Sequence, residues 1–244
     1  NDPGQPQLII PVTLEVVNVK YLDLKIYLEG PFEGAIMNNI LNQHGFLPTT
    51  QPYGGSPWNY DGTEQVSSIP DPDITDWILL EYRDAPDAAS ATPATAIGWD
   101  AAFLQKDGAV VALDGSTGLG FSYNIQNNLF VVVYHRNHIG VMSANALLEN
   151  GGIYSYDFTA GPEQVLGGSQ VCTELAPGMW GLAAGDGNAD GSVNEMDINT
   201  DWPIQAGTQG YDQSDYNLDG QTNNLDKNDC WYVNKGLNGQ IPQK

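Results

Sequence analysis

Leu22-Asp23-Leu24-Lys25-Ile26-Tyr27-Leu28-Glu29 carries the clearest secondary-structure signal in the chain. Leucine and isoleucine alternate there with charged residues and a tyrosine. This period of two is typical of a strand with one face in the core. The stretch before it, residues 9–19, is rich in β-branched residues and also predicts a strand. Prolines and a glycine in residues 1–8 predict an extended leader without helix.

Further strands are predicted along the following 120 residues. Residues 77–83 are one, and residues 101–104 and 109–113 flank a hairpin turn at Lys106-Asp107-Gly108. Residues 129–134, a continuous apolar run, predict a strand buried on both faces. Turn residues separate these strands, which favours a β-sandwich-like domain, although a barrel fits the same pattern. Residues 34–41 predict one short helix.

Composition excludes several classes of function. The 244 residues contain 8 Lys and Arg against 30 Asp and Glu, a formal net charge of -22. Nucleic-acid binding needs a basic surface that displaces counterions from phosphate, so no nucleic-acid partner is expected. No run of about 18 apolar residues is present, so no membrane insertion is expected either. An acidic excess of this size serves solubility or binds cations.

Two acidic loops repeat one template near the C-terminal end. Residues 186–197 read Asp-Gly-Asn-Ala-Asp-Gly-Ser-Val-Asn-Glu-Met-Asp, and residues 215–226 read Asp-Tyr-Asn-Leu-Asp-Gly-Gln-Thr-Asn-Asn-Leu-Asp. Both have Asp at positions 1, 5 and 12, Asn at 3 and 9, and Gly at 6. Calcium takes six to eight oxygen ligands, and such a loop wraps oxygens around it at alternate positions. The repeat therefore predicts two bound Ca²⁺ ions.

This tail resembles the dockerin type I domain, in which two loop–helix repeats each carry this pattern. The resemblance covers residues 182–236 and implies a small α-helical, EF-hand-like domain. It implies twelve calcium ligands: Asp186, Asn188, Asp190, Ser192, Asn194 and Asp197 in the first loop, then Asp215, Asn217, Asp219, Gln221, Asn223 and Asp226 in the second.

The tail departs from the dockerin family in two places. Dockerins that bind cohesins usually carry small hydroxyl residues at loop positions 10 and 11, where this chain has Glu195-Met196 and Asn224-Leu225. Pro203 also shortens the helix after the first loop. The resemblance therefore implies calcium binding and does not imply cohesin binding. The second helix is expected over residues 225–235 and is expected to end at Gly236.

The front part resembles a β-rich module of large secreted and surface proteins of Bacteroidota-type bacteria. The matching segments are residues 28–32 (Leu-Glu-Gly-Pro-Phe), 57–64 (Pro-Trp-Asn-Tyr-Asp-Gly-Thr-Glu), 76–81 (Asp-Trp-Ile-Leu-Leu-Glu) and 135–138 (His-Arg-Asn-His). Such modules often precede a dockerin-like tail. The resemblance implies secretion to the cell surface or beyond and no established activity.

Composition and motifs together predict three regions. Residues 1–20 are an extended leader and strand, residues 21–180 a β-sandwich-like domain, and residues 181–244 a dockerin-like domain with two calcium loops. The boundary is placed where the sequence becomes rich in Asp, Asn and Gly.

Three further groups of residues have two interpretations each. Cys172 and Cys230 are expected to form a disulfide in an oxidising destination, or else to be buried thiols. Tyr53, Trp58 and Tyr60 form a sugar-stacking platform or anchor their loop to the sheet. His135 and His138 point to opposite faces on a strand but meet on a turn, where a structural role competes with a metal or acid–base role.

No nucleophile, zinc or phosphate-loop motif is present in the sequence, so a non-enzymatic protein is expected. The first hypothesis is a cell-surface structural or adhesive subunit, whose residues 7–19 complete the sheet of a neighbouring copy to build fibres. Its partner is then itself or another surface protein. The second is a tethered glycan-binding module of a polysaccharide-processing system. The third, an extracellular hydrolase, requires a carboxylate pair in a cleft.

Overall fold

The computed structural model describes residues 19–243, and eleven strands run through this part of the chain. In chain order they are β1 (Lys20–Lys25), β2 (Ile74–Ala85), β3 (Ala96–Gln105), β4 (Val110–Val111), β5 (Leu119–Phe121), β6 (Asn128–His135), β7 (His138–Met142), β8 (Leu148–Asn150), β9 (Ile153–Asp157), β10 (Cys172–Ala176) and β11 (Met179–Leu182). The mainly β fold expected from the sequence is confirmed. The predicted leader and all but the last residue of the predicted strand at residues 9–19 lie outside the described residues.

The first sheet has four strands in the order β5-β1-β9-β8. Strand β1 is antiparallel to β5 and parallel to β9. Leu22 and Leu24 are buried, whereas Tyr21, Asp23 and Lys25 are exposed. The predicted alternation is therefore confirmed over residues 22–25, whereas the strand ends at Lys25 and Tyr27, expected on the polar face, is buried.

The second sheet has five antiparallel strands in the order β4-β3-β2-β6-β7. Strands β2 and β6 lie inside it, and Leu80 of β2 pairs with Asp100 on one side and Val133 on the other. Residues 129–133 are all buried, as their apolar run predicted. The predicted hairpin at residues 106–108 connects β3 to β4. Strands β10 and β11 form a separate two-stranded hairpin.

Helices are few and short. They are α1 (Ile40–Gln43), α2 (Glu195–Asn199), α3 (Trp202–Gln205) and α4 (Tyr232–Asn234), and a π-helical segment, Asp226–Trp231, leads directly into α4. The helix predicted at residues 34–41 is wrong in position. Gly34 has a φ of 80°, and Phe32 bridges Met37, so the chain turns back before the helix begins. Gly236, at φ 101°, follows the last helix as expected.

One hydrophobic core joins both sheets to the C-terminal tail. It includes Leu24 of the first sheet, Trp77 and Val131 of the second, and Tyr216 and Trp231 of the tail. The acidic loops are therefore packed against the strands. Among residues 19–243, none of the helices has the length and apolar character needed to cross a bilayer.

Leu79 and Leu148 allow a test of the core with one kind of substitution. Leu79 is fully buried in β2, and Leu148 is 77% exposed in β8. We expect Leu79→Ala to lower the free energy of unfolding by about 2–5 kcal/mol because it removes buried methyl groups and leaves a cavity. We expect Leu148→Ala to change it by about 0.5 kcal/mol or less. Urea unfolding of both variants measures this, and equal effects would contradict the fold.

Candidate functional site

The two predicted calcium loops follow the same backbone path. Position 4 of each has a left-handed conformation, with φ of 55° at Ala189 and 56° at Leu218. Position 6 is also left-handed, with φ of 86° at Gly191 and 78° at Gly220. A glycine adopts such angles without the steric cost that a Cβ adds. The loop geometry thus explains why glycine occupies position 6 in both repeats.

Carboxylates of the first loop are bonded to its own backbone. The N–H of Gly191 donates to Oδ2 of Asp186 at 2.9 Å. The N–H groups of Asn188 and Asn194 donate to Oδ1 and Oδ2 of Asp197 at 3.2 and 2.7 Å. Oδ1 of Asp186 is buried and has no hydrogen-bond partner among the described residues. The loop therefore encloses Oδ1 of Asp186, to which none of the described residues donates a hydrogen bond.

The second loop repeats these bonds at the same positions. The N–H of Gly220 donates to Oδ2 of Asp215 at 2.9 Å. The N–H groups of Asn217 and Asn223 donate to Oδ1 and Oδ2 of Asp226 at 3.2 and 2.8 Å. The sequence repeat is therefore also a structural repeat, with positions 1 and 12 facing the inside of each loop.

Burial makes the charges of these carboxylates costly. It raises the pKa of Asp186 to about 8, with a smaller contribution from the charge of Asp197. It raises the pKa of Asp215 to about 7, although Arg136 opposes the shift, and that of Asp226 to about 6. A buried carboxylate is stable as an anion only with a positive partner or a metal. Both loops thus concentrate negative charge that a cation would compensate.

The expected ligands fit a hard cation by their chemistry, since every donor atom is an oxygen. Four of them are buried, namely Asp186, Asp197, Asp215 and Asp226, and the other eight are partly or fully exposed: Asn188, Asp190, Ser192, Asn194, Asn217, Asp219, Gln221 and Asn223. Among the described residues, no three His, Cys, Asp or Glu side chains converge into a metal-binding group. Carboxylates alone would not complete six to eight ligands, so amide and backbone oxygens are also needed.

Side-chain amides of the β body donate hydrogen bonds to backbone carbonyls of the second loop and hold it against the sheets. The Nδ2 of Asn137, in the turn between β6 and β7, donates to the carbonyl oxygen of Asp215 at 2.7 Å. The Nδ2 of Asn38 donates to the carbonyl oxygen of Asn217 at 3.0 Å. A Cβ added to Gly30 would lie 1.9 Å from the carbonyl oxygen of Tyr216, so only glycine allows this approach.

A buried ionic network around Asp76 also connects the β body to the tail. Oδ2 of Asp76 accepts from Nε of Arg136 at 3.1 Å and contacts Nε2 of His135 at 3.2 Å. Its Oδ1 accepts from the hydroxyl of Tyr211, a tail residue, at 2.7 Å. Burial disfavours the charge of Asp76, but the Arg136 guanidinium and these hydrogen bonds outweigh it and lower the pKa of Asp76. This network connects β2, the β6–β7 turn and the tail.

His135 and His138 meet at the turn, as one interpretation of the sequence required. Their Nδ1 atoms are 3.1 Å apart, and Nδ1 of His138 lies 2.9 Å from Oδ1 of Asn137. The N–H of Gly30 donates to Nε2 of His138 at 3.3 Å. Burial lowers the pKa of both rings, that of His138 strongly. These contacts satisfy both rings and favour a structural role.

The predicted aromatic platform is only partly formed. Tyr53 is fully buried, and its hydroxyl donates to the carbonyl oxygen of Trp77 at 2.8 Å. For Tyr53 the second interpretation of the sequence, an anchor that ties the loop to the core, is the one observed, and a glycan could not reach its buried ring. The Tyr60 hydroxyl is bonded to Glu64 and does not line the nearby cleft. Trp58 is half-buried, packs edge-on against Tyr53 at 5.0 Å, and does line that cleft.

This cleft, of about 460 Å³, lies between the first loop and the second sheet. Its walls are the first loop (Asp186, Ala189, Asp190, Gly191, Ser192), the C-terminal segment (Gly239, Ile241, Gln243), the strands and turn of the second sheet (Trp99, Tyr134, His135, His138, Gly140), and the loop at Pro57 and Trp58. The sequence predictions missed Trp99 and Tyr134, because no local motif marks two aromatic residues that meet across an intervening strand.

The predicted disulfide is not formed. Cys172 and Cys230 are both free and buried. The thiol of Cys172, at the start of β10, donates to the carbonyl oxygen of Gly168 at 3.2 Å. Burial raises the pKa of Cys172 to about 12 and also raises that of Cys230. The second interpretation of the sequence, two buried thiols, is the one observed.

No protein-family model matches this chain. Neither a curated protein nor a solved structure matches it.

Arg136 allows a test of the buried network. We expect Arg136→Met to lower the free energy of unfolding by about 3–5 kcal/mol, because Asp76 then keeps a buried charge without its partner. The control is Lys106→Met, which breaks the partly exposed pair with Asp73 and is expected to cost about 1 kcal/mol or less. Urea unfolding at pH 7 compares the two.

The stability difference between the wild type and Arg136→Met should also depend on pH, and the pKa of Asp76 fixes the direction of this dependence. Folding lowers the pKa of Asp76, so its contribution to stability is present above the ordinary Asp pKa of about 4 and is lost as the pH falls below it. The stability difference between the wild type and Arg136→Met should therefore shrink between pH 5 and pH 3. A constant difference would mean that Asp76 is not the partner on which Arg136 acts.

Proposed function

We propose that this chain is a non-enzymatic, secreted or cell-surface calcium-binding protein with a structural or adhesive role. The observation that carries the proposal is the pair of equivalent loops, each of which buries carboxylates at positions 1 and 12 without a matching positive charge inside the loop. Two Ca²⁺ ions would compensate these charges. Their binding free energy then adds to folding, because the loops are assembled only in the folded chain.

The dockerin-like resemblance supports the same proposal. We infer a β-sandwich-like body followed by a dockerin-like calcium-binding tail. The tail contacts the body through Asn137, Asn38 and Tyr211, so calcium would stabilise the junction as well as the loops. The proposed secretion rests on the resemblance of the front part to a module of secreted and surface proteins. Calcium loops and an acidic composition are compatible with an extracellular location.

An enzymatic role has less support. The carboxylates that line the cleft, Asp186 and Asp190, belong to the first loop. As calcium ligands they would not serve as an acid–base pair. The histidines beside the cleft have hydrogen-bond partners in the protein.

Calcium removal tests the main proposal. We expect chelation to lower the melting temperature, because a ligand at 100 times its Kd stabilises the folded state by about 2.7 kcal/mol. Equilibrium dialysis should find two ions per chain, and Asp226→Asn should reduce this to one. The matched control is Asp229→Asn, which removes an exposed carboxylate three residues further along the same helix. A melting temperature unaffected by chelation, with no bound calcium, would refute the proposal.

Self-assembly is supported by one specific observation. Strands β5 and β8 are the two edges of the first sheet, and β8 pairs with β9 and, among the described residues, with no other strand. Leu148 on it is 77% exposed, and Tyr21 and Ile153 on neighbouring strands are 47% and 45% exposed. A free edge with apolar neighbours accepts an added strand. We propose that residues 7–19 of a second copy supply that strand.

Two variants separate this edge from general surface hydrophobicity. We expect the wild type to form fibres in calcium, which negative-stain electron microscopy would detect. We expect both Leu148→Lys and the deletion of residues 1–18 to abolish these fibres. The control is Ile204→Lys, since Ile204 is 79% exposed in the tail, away from the sheet edge. Fibres that persist in Leu148→Lys would exclude β8 as the acceptor edge.

A further inference from the structure

The cleft between the first loop and the second sheet has features that calcium binding does not explain. Trp99 of β3 and Tyr134 of β6 lie nearly parallel, with ring centres 5.6 Å apart and planes 11° apart. Both rings, and that of Trp58 across the cleft, are half-buried, so each leaves part of its surface accessible. A concave site that combines aromatic surfaces with polar side chains able to orient a ligand is the usual form of a small-ligand site, and the lining of this cleft is of both kinds.

The aromatic rings are fixed by buried partners. The Tyr134 hydroxyl donates to Oε2 of Glu81 at 3.0 Å, and Glu81 forms a buried two-point pair with Arg83 at 2.9 Å for each bond. Trp58 packs edge-on against Tyr53, which is itself bonded to the core. Rings held in place before binding lose little entropy when a ligand arrives.

The polar part of the lining selects against anions. None of the described residues that line the cleft is Lys or Arg, whereas Asp186 and Asp190 do line it. Phosphate, sulfate and carboxylate ligands bind most strongly to cationic donors, and the two carboxylates here would repel them. Ser192 and Gln243 add a hydroxyl and an amide at the loop side. This lining matches a ligand that is uncharged, carries hydroxyl groups and presents a flat apolar face.

We propose that the cleft binds a sugar unit of a neutral polysaccharide, stacked on Trp58 and Trp99 with its hydroxyl groups towards the first loop. The volume of about 460 Å³ lies within the range of small-ligand pockets. The proposal rests on the proposed function in one respect, because the first loop forms one wall. Calcium there would neutralise Asp186 and Asp190 and fix that wall, so glycan binding would require calcium.

A simple organic cation is the competing ligand, since aromatic faces beside carboxylates also attract cations. Calcium in the first loop weakens this preference, because its two positive charges offset most of the negative charge of Asp186, Asp190 and Asp197. The sugar therefore fits the calcium-loaded protein, and a cation fits the calcium-free protein. This difference gives opposite responses to chelation.

Affinity electrophoresis in native gels tests the proposal with the full chain. The probes are three neutral polysaccharides, a mixed-linkage β-glucan, an arabinoxylan and a galactomannan, with alginate as the anionic comparison and tetramethylammonium chloride as a soluble competitor. We expect at least one neutral probe to retard the wild type in calcium. Trp58→Ala and Trp99→Ala should each weaken this retardation by about tenfold or more, since each removes a stacking face.

The control variant is Tyr232→Ala, which removes a 68% exposed aromatic ring on α4 that does not line the cleft. It should be retarded like the wild type. The melting temperatures of all variants in calcium show whether each remains folded. If Trp99→Ala does not fold, Trp58→Ala still tests the site, because Trp58 lies in a loop outside the sheet.

Each outcome decides between the alternatives. No retardation by any neutral probe, or equal retardation of the wild type and both tryptophan variants, overturns the sugar site. If no neutral probe retards the protein but tetramethylammonium raises the melting temperature of the chelated protein, the sugar site is overturned in favour of a cation. If chelation leaves both the melting temperature and the retardation unchanged, the calcium proposal fails while the sugar site stands. If calcium raises the melting temperature but no neutral probe retards the protein, the sugar site fails while the calcium proposal stands.

Discussion

The structure depends on how a very acidic chain compensates the carboxylates that it buries. Both arginines of the sequence are buried, and each is paired with a buried carboxylate, Arg83 with Glu81 and Arg136 with Asp76. An unpaired buried charge costs several kcal/mol, so these two positions secure the second sheet and its contact with the tail. The carboxylates of the two loops have no comparable partner inside the loop. This difference is the physical reason for assigning a cation to the loops.

The sequence was most informative where the signal is local. The period of two is observed over residues 22–25, and the apolar run predicted at residues 129–134 is buried as far as residue 133. The hairpin at residues 106–108 lies where it was predicted. The two loops were visible as a repeat because their twelve-residue template recurs, and their backbones share left-handed conformations at positions 4 and 6. In both loops, the observed left-handed angle at Gly of position 6 is the property for which glycine was expected.

Predictions failed where the outcome depends on distant parts of the chain. Tyr53 belongs to an aromatic-rich loop, but the buried carbonyl of Trp77 binds its hydroxyl and draws it into the core. Whether Cys172 and Cys230 meet depends on how segments far apart in the sequence pack, and both are buried as free thiols, which no count of cysteines reveals. The cleft is the strongest case. Trp99 and Tyr134 belong to strands that pair with opposite sides of β2, so only the strand order brings the rings together.

The C-terminal segment explains how events in the first loop would reach this cleft. The N–H of Val193 donates to the carbonyl of Leu237 at 3.0 Å, and the bond from Gly239 to the carbonyl of Gly191 continues this pairing. Further along, Nη1 of Arg83 donates to the carbonyl of Pro242 at 3.1 Å. The segment is thus held by the first loop at one end and by a buried ion pair of the sheet at the other.

These two attachments differ in how the buried charges beside them are compensated. The sheet end is secured by Arg83 and Glu81, which compensate each other. The loop end is bonded to a loop whose buried Asp186 and Asp197 repel each other as anions. Without a cation, that repulsion weakens the loop and, through Gly191 and Val193, the start of the C-terminal segment. Two walls of the cleft would then loosen together while the aromatic wall stayed fixed, so calcium would control the cleft by ordering its polar side.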